Sequence, residues 1–304
     1  MRDYSSVIKQ LQDAGCTCKT EEPMSAHTSF NIGGPADLFV CVGNAESLKA
    51  ALNILNANSV PVFLLGNGSN LLVSDMGIEG AVLKLVGDFC TCKMISNNEI
   101  ECGAGVKLAA LCSFALEKSL SGMEFAWGIP GTVGGAAYMN AGAYDSVMSN
   151  VVVACRHIDL QGNEGEYSVN DLGYDYRISR YMNENKIITS VVLKLGKGEP
   201  ESIKARMDEL MGLRKSKQPL EYPSAGSVFK RPAGYYAGAL VDECGLRGKR
   251  IGGAMVSEKH AGFIINMGSA TCNDVCRLIK EIQDEVFLKT GVKLETEVKA
   301  IGRL

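Results

Sequence analysis

The chain has 304 residues, of which 31 are Lys or Arg and 34 are Asp or Glu, so its formal net charge is −3. This length is enough for two domains whose cores need no disulfide or metal to hold them together. A charge balance this close to zero argues against nucleic acid or an anionic membrane as the main partner, because both select a strongly basic surface. The 34 glycines exceed the usual share of about 7%, which predicts backbone lying close to a ligand.

Helices and strands are predicted in quick succession through the first two thirds of the chain. Amphipathic or apolar runs of helical length predict helices over 4–14, 46–56 and 108–118. Apolar or β-branched runs, most of them bounded by Gly or Asn, predict strands over 60–65, 80–85, 99–102, 151–159 and 187–195. Strands this closely spaced favour an α+β class over a regular βαβ winding.

The composition changes at 196–200, which we interpret as a linker, and a charged helix is predicted over 202–217. Thr271, three residues before Asp274, predicts the start of a last helix, and Gly291 predicts its end. Its apolar positions are 275, 278, 279, 282 and 286. The uncharged run 125–144 holds five glycines and a proline, so we predict buried loop and turn rather than a membrane span.

Eleven cysteines are scattered along the chain without a Cys-x-x-Cys pair, which favours free thiols in a reducing cytosol over a disulfide scaffold. The polar start of the chain predicts no signal peptide. The three histidines, His27, His157 and His260, have no partner at metal-ligand spacing, so no metal site is predicted.

Two glycine-rich segments are the first candidates for binding. The segment 66–71 follows an apolar strand, and its glycines would expose a row of backbone N–H groups that suits a pyrophosphate, although a plain tight turn explains it equally. The segment 128–137, extended by 140–143, permits very close backbone approach, or else a crossing of tightly packed chains. Together they favour an extended nucleotide such as a dinucleotide. The Walker A and Gly-x-Ser-x-Gly patterns are absent from the sequence.

Three features in the second half of the chain carry reactive side chains. Arg177 stands between aromatic residues, Ser227 follows a glycine in a loop, and alternation in a terminal strand would turn Glu295 and Glu297 to one face. Each feature alone is equally consistent with a solvated surface or a salt bridge.

The combination of these motifs resembles the UDP-N-acetylenolpyruvoylglucosamine reductase family over about residues 5–302. The matching segments, in family order, are 28–37, 66–71, 128–137, 176–179, 225–229 and 297–302. The resemblance implies a vanillyl-alcohol-oxidase-type (PCMH-type) FAD-binding region of two α/β subdomains, followed by a C-terminal α/β substrate-binding domain. The implied bounds are 1–29 for the lead-in, 30–197 for the FAD-binding region and 198–304 for the substrate domain. Only 49 residues separate Arg177 from Ser227, so the chain resembles the shorter subtype without a tyrosine-bearing loop.

The resemblance also implies the activity, a step of peptidoglycan precursor synthesis in the cytoplasm. NADPH would reduce non-covalently bound FAD, and the enolpyruvyl ether of UDP-N-acetylglucosamine would then accept the hydride. Arg177 would hold the carboxylate, Glu297 would assist it, and Ser227 would donate the proton. Weaker candidates for substrate contacts are Lys217, Lys230, Tyr235 and His260. The residues implied for FAD are Gly66, Asn67, Gly68, Ser69, Asn70, Gly128, Ile129, Pro130, Gly131, Thr132, Gly134, Gly135, Asn140 and Gly142.

Two other functions stay open at this point. An FAD-dependent oxidase of the same fold would explain the glycine segments but not the set of Arg177, Ser227 and Glu297. A non-catalytic nucleotide-sugar binding protein would carry no flavin.

Overall fold

The computed structural model describes residues 3–303. These residues form two compact units with interleaved sequence. Unit 1 contains the chain up to Thr20, Leu38–Asn67 and Gly80–Leu213, and unit 2 contains Glu21–Asp37, Gly68–Glu79 and the chain from Arg214 onward. The domain bounds predicted from the sequence stay a prediction.

The α-helices of the described residues are α1 (Ser5–Asp13), α2 (Ala45–Ala57), α3 (Leu108–Glu117), α4 (Val133–Met139), α5 (Pro200–Lys217), α6 (Ala237–Glu243) and α7 (Cys272–Thr290). The strands are β1 (Thr17–Pro23), β2 (Pro35–Val42), β3 (Val62–Leu65), β4 (Leu71–Val73), β5 (Ile78–Leu85), β6 (Cys92–Met94), β7 (Glu99–Gly103), β8 (Leu120–Ser121), β9 (Gly142–Ala143), β10 (Ser146–Val147), β11 (Val152–Asp159), β12 (Glu164–Ser168), β13 (Lys186–Lys194), β14 (Gly196–Lys197), β15 (Ser224–Ser227), β16 (Arg250–Ile251), β17 (Ala254–Val256), β18 (Phe263–Asn266) and β19 (Lys299–Ile301). Short 3₁₀ helices span Met24–His27, Gly87–Cys90, Glu124–Ala126, Met148–Asn150, Val169–Asp171 and Arg180–Asn183.

Unit 1 is built on two larger sheets. One has the strand order β1-β2-β5-β3, with β3 and β5 parallel. The other is antiparallel throughout, with the order β12-β11-β13-β7-β6. The β-branched runs at 151–159 and 187–195 form its central strands because they bury one face against the core. Ile100, Cys155, Val191 and Leu193 have no exposed surface there.

Unit 2 is built on the antiparallel sheet β15-β18-β17-β16. The predicted apolar face of α7 is confirmed, because residues 275, 278, 279, 282 and 286 are all buried in this unit's core. Thr271 and Asp274 form a capping box, and Gly291 ends the helix in the left-handed conformation at φ 72°.

Three predictions were wrong at the level of local structure. The run 125–144 is not only loop and turn, because it contains α4, whose glycines lower helix propensity by about 1 kcal/mol each and so conceal it. The interpreted linker at 196–200 is largely regular structure, since β14 occupies Gly196–Lys197 and α5 begins at Pro200. Glu295 and Glu297 do not lie in the terminal strand, which begins only at Lys299 and pairs in parallel with β4.

None of the helices formed by residues 3–303 is both long enough and apolar enough to cross a bilayer.

Candidate functional site

The first glycine segment leads from β3 directly into β4. Gly68 has φ 62°, and a Cβ at this position would lie 2.2 Å from the carbonyl oxygen of His27, so only glycine fits. Among residues 3–303, no backbone acceptor takes the N–H groups of Gly66, Asn67, Gly68 or Ser69. These unused donors give the segment the capacity to bind an anion.

Unit 1 brings the start of this segment against the second glycine segment. The Asn67 side-chain amide donates to the carbonyl oxygen of Pro130 at 2.8 Å. A Cβ on Gly66 would lie 2.9 Å from the side-chain oxygen Oγ1 of Thr132, so a larger residue would require this side chain to move. The two segments that the sequence suggested as parts of one candidate site are therefore in contact, through Gly66 and Asn67.

Several N–H groups of the second segment are already used in hydrogen bonds within the protein. Gly134 N–H donates to the carbonyl oxygen of Ala104 at 2.9 Å, and Gly135 N–H donates to Oγ1 of Thr132 at 3.2 Å. A Cβ on Gly134 would lie 2.6 Å from the Cβ of Ala104. Close packing therefore accounts for the glycine at position 134. In the first segment, by contrast, the N–H groups of residues 66–69 have no backbone acceptor among residues 3–303.

Arg177 lies at the tip of a tight turn in unit 1. Asp175 and Ile178 exchange two backbone hydrogen bonds, of 3.2 and 3.1 Å, across it. Arg177 has φ 58°, a conformation that costs a non-glycine residue energy and is concentrated at functional sites. Its guanidinium lies 4.9 Å from the ring centre of Tyr176 and donates to the carbonyl oxygen of Gly142 at 3.3 Å.

Two buried side chains brace this turn. Asn140 is 5% exposed, its Nδ2 donates to the carbonyl oxygen of Asp175 at 3.1 Å, and its Oδ1 accepts from Ser149 N–H at 2.9 Å. Ser179 has no exposed surface, and its hydroxyl donates to the carbonyl oxygen of Tyr138 at 2.6 Å. Sequence reasoning overlooked the role of Ser179, although the residue stands in the matched motif. The cofactor role predicted for Asn140 stays a prediction; its observed contacts hold the Arg177 turn.

We expect Ser179→Ala to weaken the position of Arg177. The change leaves the Tyr138 carbonyl without its buried donor, which costs about 1–3 kcal/mol. Urea unfolding should show this loss, and kcat of the variant should fall at temperatures where it remains folded. Ser96→Ala, in an exposed turn, is the control and should change neither quantity. Wild-type stability in Ser179→Ala would contradict the bracing role.

Unit 2 brings Ser227 and Glu297 together through the backbone. Ser227 ends β15, is exposed, and pairs with Phe263 of β18. The next residue, Val228, accepts at its carbonyl oxygen from Glu297 N–H at 2.7 Å. Arg177, in contrast, belongs to unit 1.

Asn70, at the end of the first glycine segment, holds Glu297 from the other side. Its Nδ2 donates to the carbonyl oxygen of Glu297 at 3.1 Å, and its own carbonyl oxygen accepts from Lys299 N–H at 3.0 Å. Asn70, predicted to bind the cofactor, thus contacts the backbone of a predicted catalytic residue within unit 2.

Of the four weaker candidates for substrate contacts, two have side chains with a polar partner, and the other two are described by their position and exposure. Lys230 pairs with Glu295, with 3.2 Å between Nζ and Oε2, and Nδ1 of His260 accepts from Gly262 N–H at 3.0 Å. Burial lowers the pKa of His260, so the neutral ring carries its proton on Nε2. Lys217 ends α5, Tyr235 is the last residue of a turn over 232–235, and both are exposed.

Comparisons with known proteins cover nearly the whole chain. Family models match at two places, an FAD binding domain over residues 36–166 and the C-terminal domain of UDP-N-acetylenolpyruvoylglucosamine reductase over 218–301. A UDP-N-acetylenolpyruvoylglucosamine reductase from Clostridium botulinum is 44% identical over 306 residues, covering 99% of each chain.

Two solved structures extend this likeness to the fold. The crystal structure of UDP-N-acetylenolpyruvylglucosamine reductase from Thermus caldophilus has a TM-score of 0.81 and 37% identity, covering 94% of this chain and 98% of that one. p-Cresol methylhydroxylase, 12% identical with a TM-score of 0.50, covers 96% of this chain and 65% of that one and shares the fold alone. The predicted fold class, with its PCMH-type FAD-binding region, is confirmed.

Proposed function

The chain belongs to the UDP-N-acetylenolpyruvoylglucosamine reductase family, and on this premise we propose that it reduces the enolpyruvyl ether of UDP-N-acetylglucosamine to UDP-N-acetylmuramate with NADPH and FAD. The observation that carries the proposal is the 44% identity across 99% of the chain, because the matched region spans every segment that bears a reactive side chain. The product is a peptidoglycan precursor. We further propose that the enzyme acts in the cytoplasm and so supports cell-wall biogenesis, cell shape and division.

The residues present fit FAD. The match to an FAD binding domain contains both glycine segments. The unused N–H donors at 66–69 suit a pyrophosphate. When bound, FAD supplies a hydride carrier between NADPH and the vinyl carbon of the substrate.

Arg177 binds the substrate carboxylate in this proposal. A guanidinium is always charged, and its planar donors match the two oxygens of a carboxylate. Hydride addition to the vinyl carbon places negative charge on the neighbouring carbon and on that carboxylate. The contacts to Gly142 and Tyr176 hold the guanidinium before this charge develops.

Ser227 donates the proton that completes the reduction. A serine hydroxyl is a weak acid, so it protonates only a strongly basic acceptor, and an enolate carbon is one. Ser227 is exposed at the end of β15, where its hydroxyl is accessible to a substrate. In its protonated form, Glu297 would donate a hydrogen bond to the same developing enolate.

We expect Glu297→Gln to retain more activity than Glu297→Ala, because the amide keeps a hydrogen-bond donor at this position. Steady-state kinetics of both variants checks this. Glu295→Gln is the matched control, since Glu295 is exposed and forms its ion pair with Lys230 at the surface. This variant should leave kcat unchanged. Equal losses in the Gln and Ala variants would argue against Glu297 as a donor.

We expect the flavin to be bound without a covalent link. No His or Cys, the usual attachment residues, occurs within 66–74 or 128–143. Precipitation of the purified yellow protein with acid should therefore release the colour to the supernatant. Colour remaining in the pellet after repeated washing with acid would show a covalent bond instead.

The decisive experiment mixes the purified protein with NADPH and the enolpyruvyl substrate under anaerobic conditions. We expect NADPH oxidation that depends on the substrate, and a product heavier by two hydrogen atoms. Peroxide formation in air without NADPH would identify an oxidase. A colourless protein that binds the UDP-sugar and leaves it unchanged would identify a binding protein.

A further inference from the structure

Cys92 and Cys102 face each other across the edge of the five-stranded sheet. They are directly opposite in the antiparallel register of β6 and β7, and their Sγ atoms are 2.6 Å apart. The adjacent pair is hydrogen-bonded, since Gly103 N–H donates to the carbonyl oxygen of Thr91 at 2.8 Å. The cysteines therefore occupy a non-hydrogen-bonded position, where the Cα atoms are about 4.5 Å apart and side chains approach most closely. This separation is within the range that a disulfide spans.

The two thiols differ in access and in acidity. Cys102 has no exposed surface, whereas Cys92 is half-buried on the edge strand β6, where small solutes reach it. The hydrogen bond from Cys102 lowers the pKa of Cys92, and the same bond raises the pKa of Cys102. Cys92 is therefore the thiol that is more readily present as the nucleophilic thiolate.

We propose that Cys92 and Cys102 form a redox modification site, which hydrogen peroxide converts into a reversible intrachain disulfide. The Cys92 thiolate attacks one peroxide oxygen, the O–O bond breaks, and water leaves after protonation of the departing hydroxide. The Cys102 sulfur then attacks the sulfenic acid of Cys92, the S–O bond breaks, and a second water leaves. The two thiols lose two electrons in total, and the peroxide is reduced to two waters. An external thiol restores both cysteines by exchange.

Neither Cys90 nor the pair of Cys272 and Cys276 shares this geometry. Cys90 is exposed, and its Sγ contacts the carbonyl oxygen of Leu85 at 3.8 Å. Cys272 and Cys276 have their Sγ atoms 4.0 Å apart, but they lie four residues apart within α7, where the helix holds both backbones in place. Peroxide should therefore cross-link the pair on β6 and β7 in preference to these three cysteines.

Peptide mapping of the purified holoprotein tests this. The protein is treated with a small excess of hydrogen peroxide, its remaining thiols are alkylated after unfolding, and it is digested with trypsin. Cleavage at Lys84, Lys93 and Lys107 separates the peptide 85–93 from the peptide 94–107. We expect most of the peptide 94–107 to be recovered linked to 85–93, lighter by two hydrogen atoms than the sum of the two, and separated by reductant.

Two variants assign the bond within the peptide 85–93, which also contains Cys90. Cys92→Ser should abolish the linked species, and Cys90→Ser should keep it. Retained yellow colour shows that each variant is folded, and fragmentation of the wild-type linked peptide locates the bond if a variant fails to fold. Cross-linking through Cys90, or recovery of both alkylated peptides while other cysteines are oxidised, would overturn the proposal. The test does not use enzyme activity, so it is independent of the proposed function.

Discussion

Arg177→Lys is expected to lower kcat by about 100-fold or more while KM changes little. A lysine keeps the positive charge but loses the planar two-point fork that matches a carboxylate. If Arg177 bound the carboxylate equally in the ground state and the transition state, the loss would appear in KM instead. We expect the effect on kcat because negative charge grows on this group only as hydride is added.

The structure strengthens this expectation. Arg177 is held at φ 58° in a turn that the side chains of Asn140 and Ser179 tie to the segment 138–140. Such strain is kept only where the surroundings impose it. A flexible lysine at the same position would lose the contact with Gly142. Its side chain would then have to become ordered in every turnover, which lowers the rate.

Arg180→Lys is the matched control for this prediction. Arg180 lies three residues further on, is exposed, and pairs with Glu184 at the surface. The same substitution there should leave kcat unchanged. Both variants should retain yellow flavin after purification, which shows that the fold is intact. An unchanged kcat in Arg177→Lys would remove Arg177 from the catalytic set.

Local chemistry explains what could be predicted from the sequence. The limits of α7 follow from Thr271, Asp274 and Gly291, which act within one turn of the chain and need no distant partner. The glycine segments could be recognised for a similar reason, since clustered glycines are visible in the sequence itself, and Gly68 does adopt a positive φ. The reactive side chains were identified by family motifs and not by spacing.

Long-range pairing explains what could not be predicted. The start of β19 at Lys299 is set by its pairing with β4, which lies more than 200 residues earlier in the chain. No local sequence rule determines that register. The pairing of Val228 with Glu297 depends on the fold in the same way. The bracing role of Ser179 is likewise a contact with a carbonyl oxygen 41 residues away, which no pattern around Ser179 indicates.

Ser227→Ala should separate the two halves of the reaction. We expect reduction of the flavin by NADPH to proceed at the wild-type rate, because no proton from Ser227 enters that step. Reoxidation by the enolpyruvyl substrate should slow by roughly 100-fold to 10,000-fold, the usual contribution of a positioned acid. Rapid mixing of each half-reaction, followed by flavin absorbance, measures the two rates separately.

The fold makes this a clean substitution. Ser227 is exposed, and β15 pairs with β18 through backbone groups that alanine keeps. Ser224→Ala in the same strand is the matched control, because the bonds that Ser224 makes with Ser29 involve its backbone N–H and carbonyl oxygen; both half-reactions should stay at the wild-type rate. Equal slowing of both halves in Ser227→Ala would instead make Ser227 a positioning residue, since loss of a proton donor cannot slow a step that needs no proton from it. Ser227→Cys places a thiol, a donor of similar size, at the same position. Faster reoxidation in this variant than in Ser227→Ala would assign the effect to the donated proton.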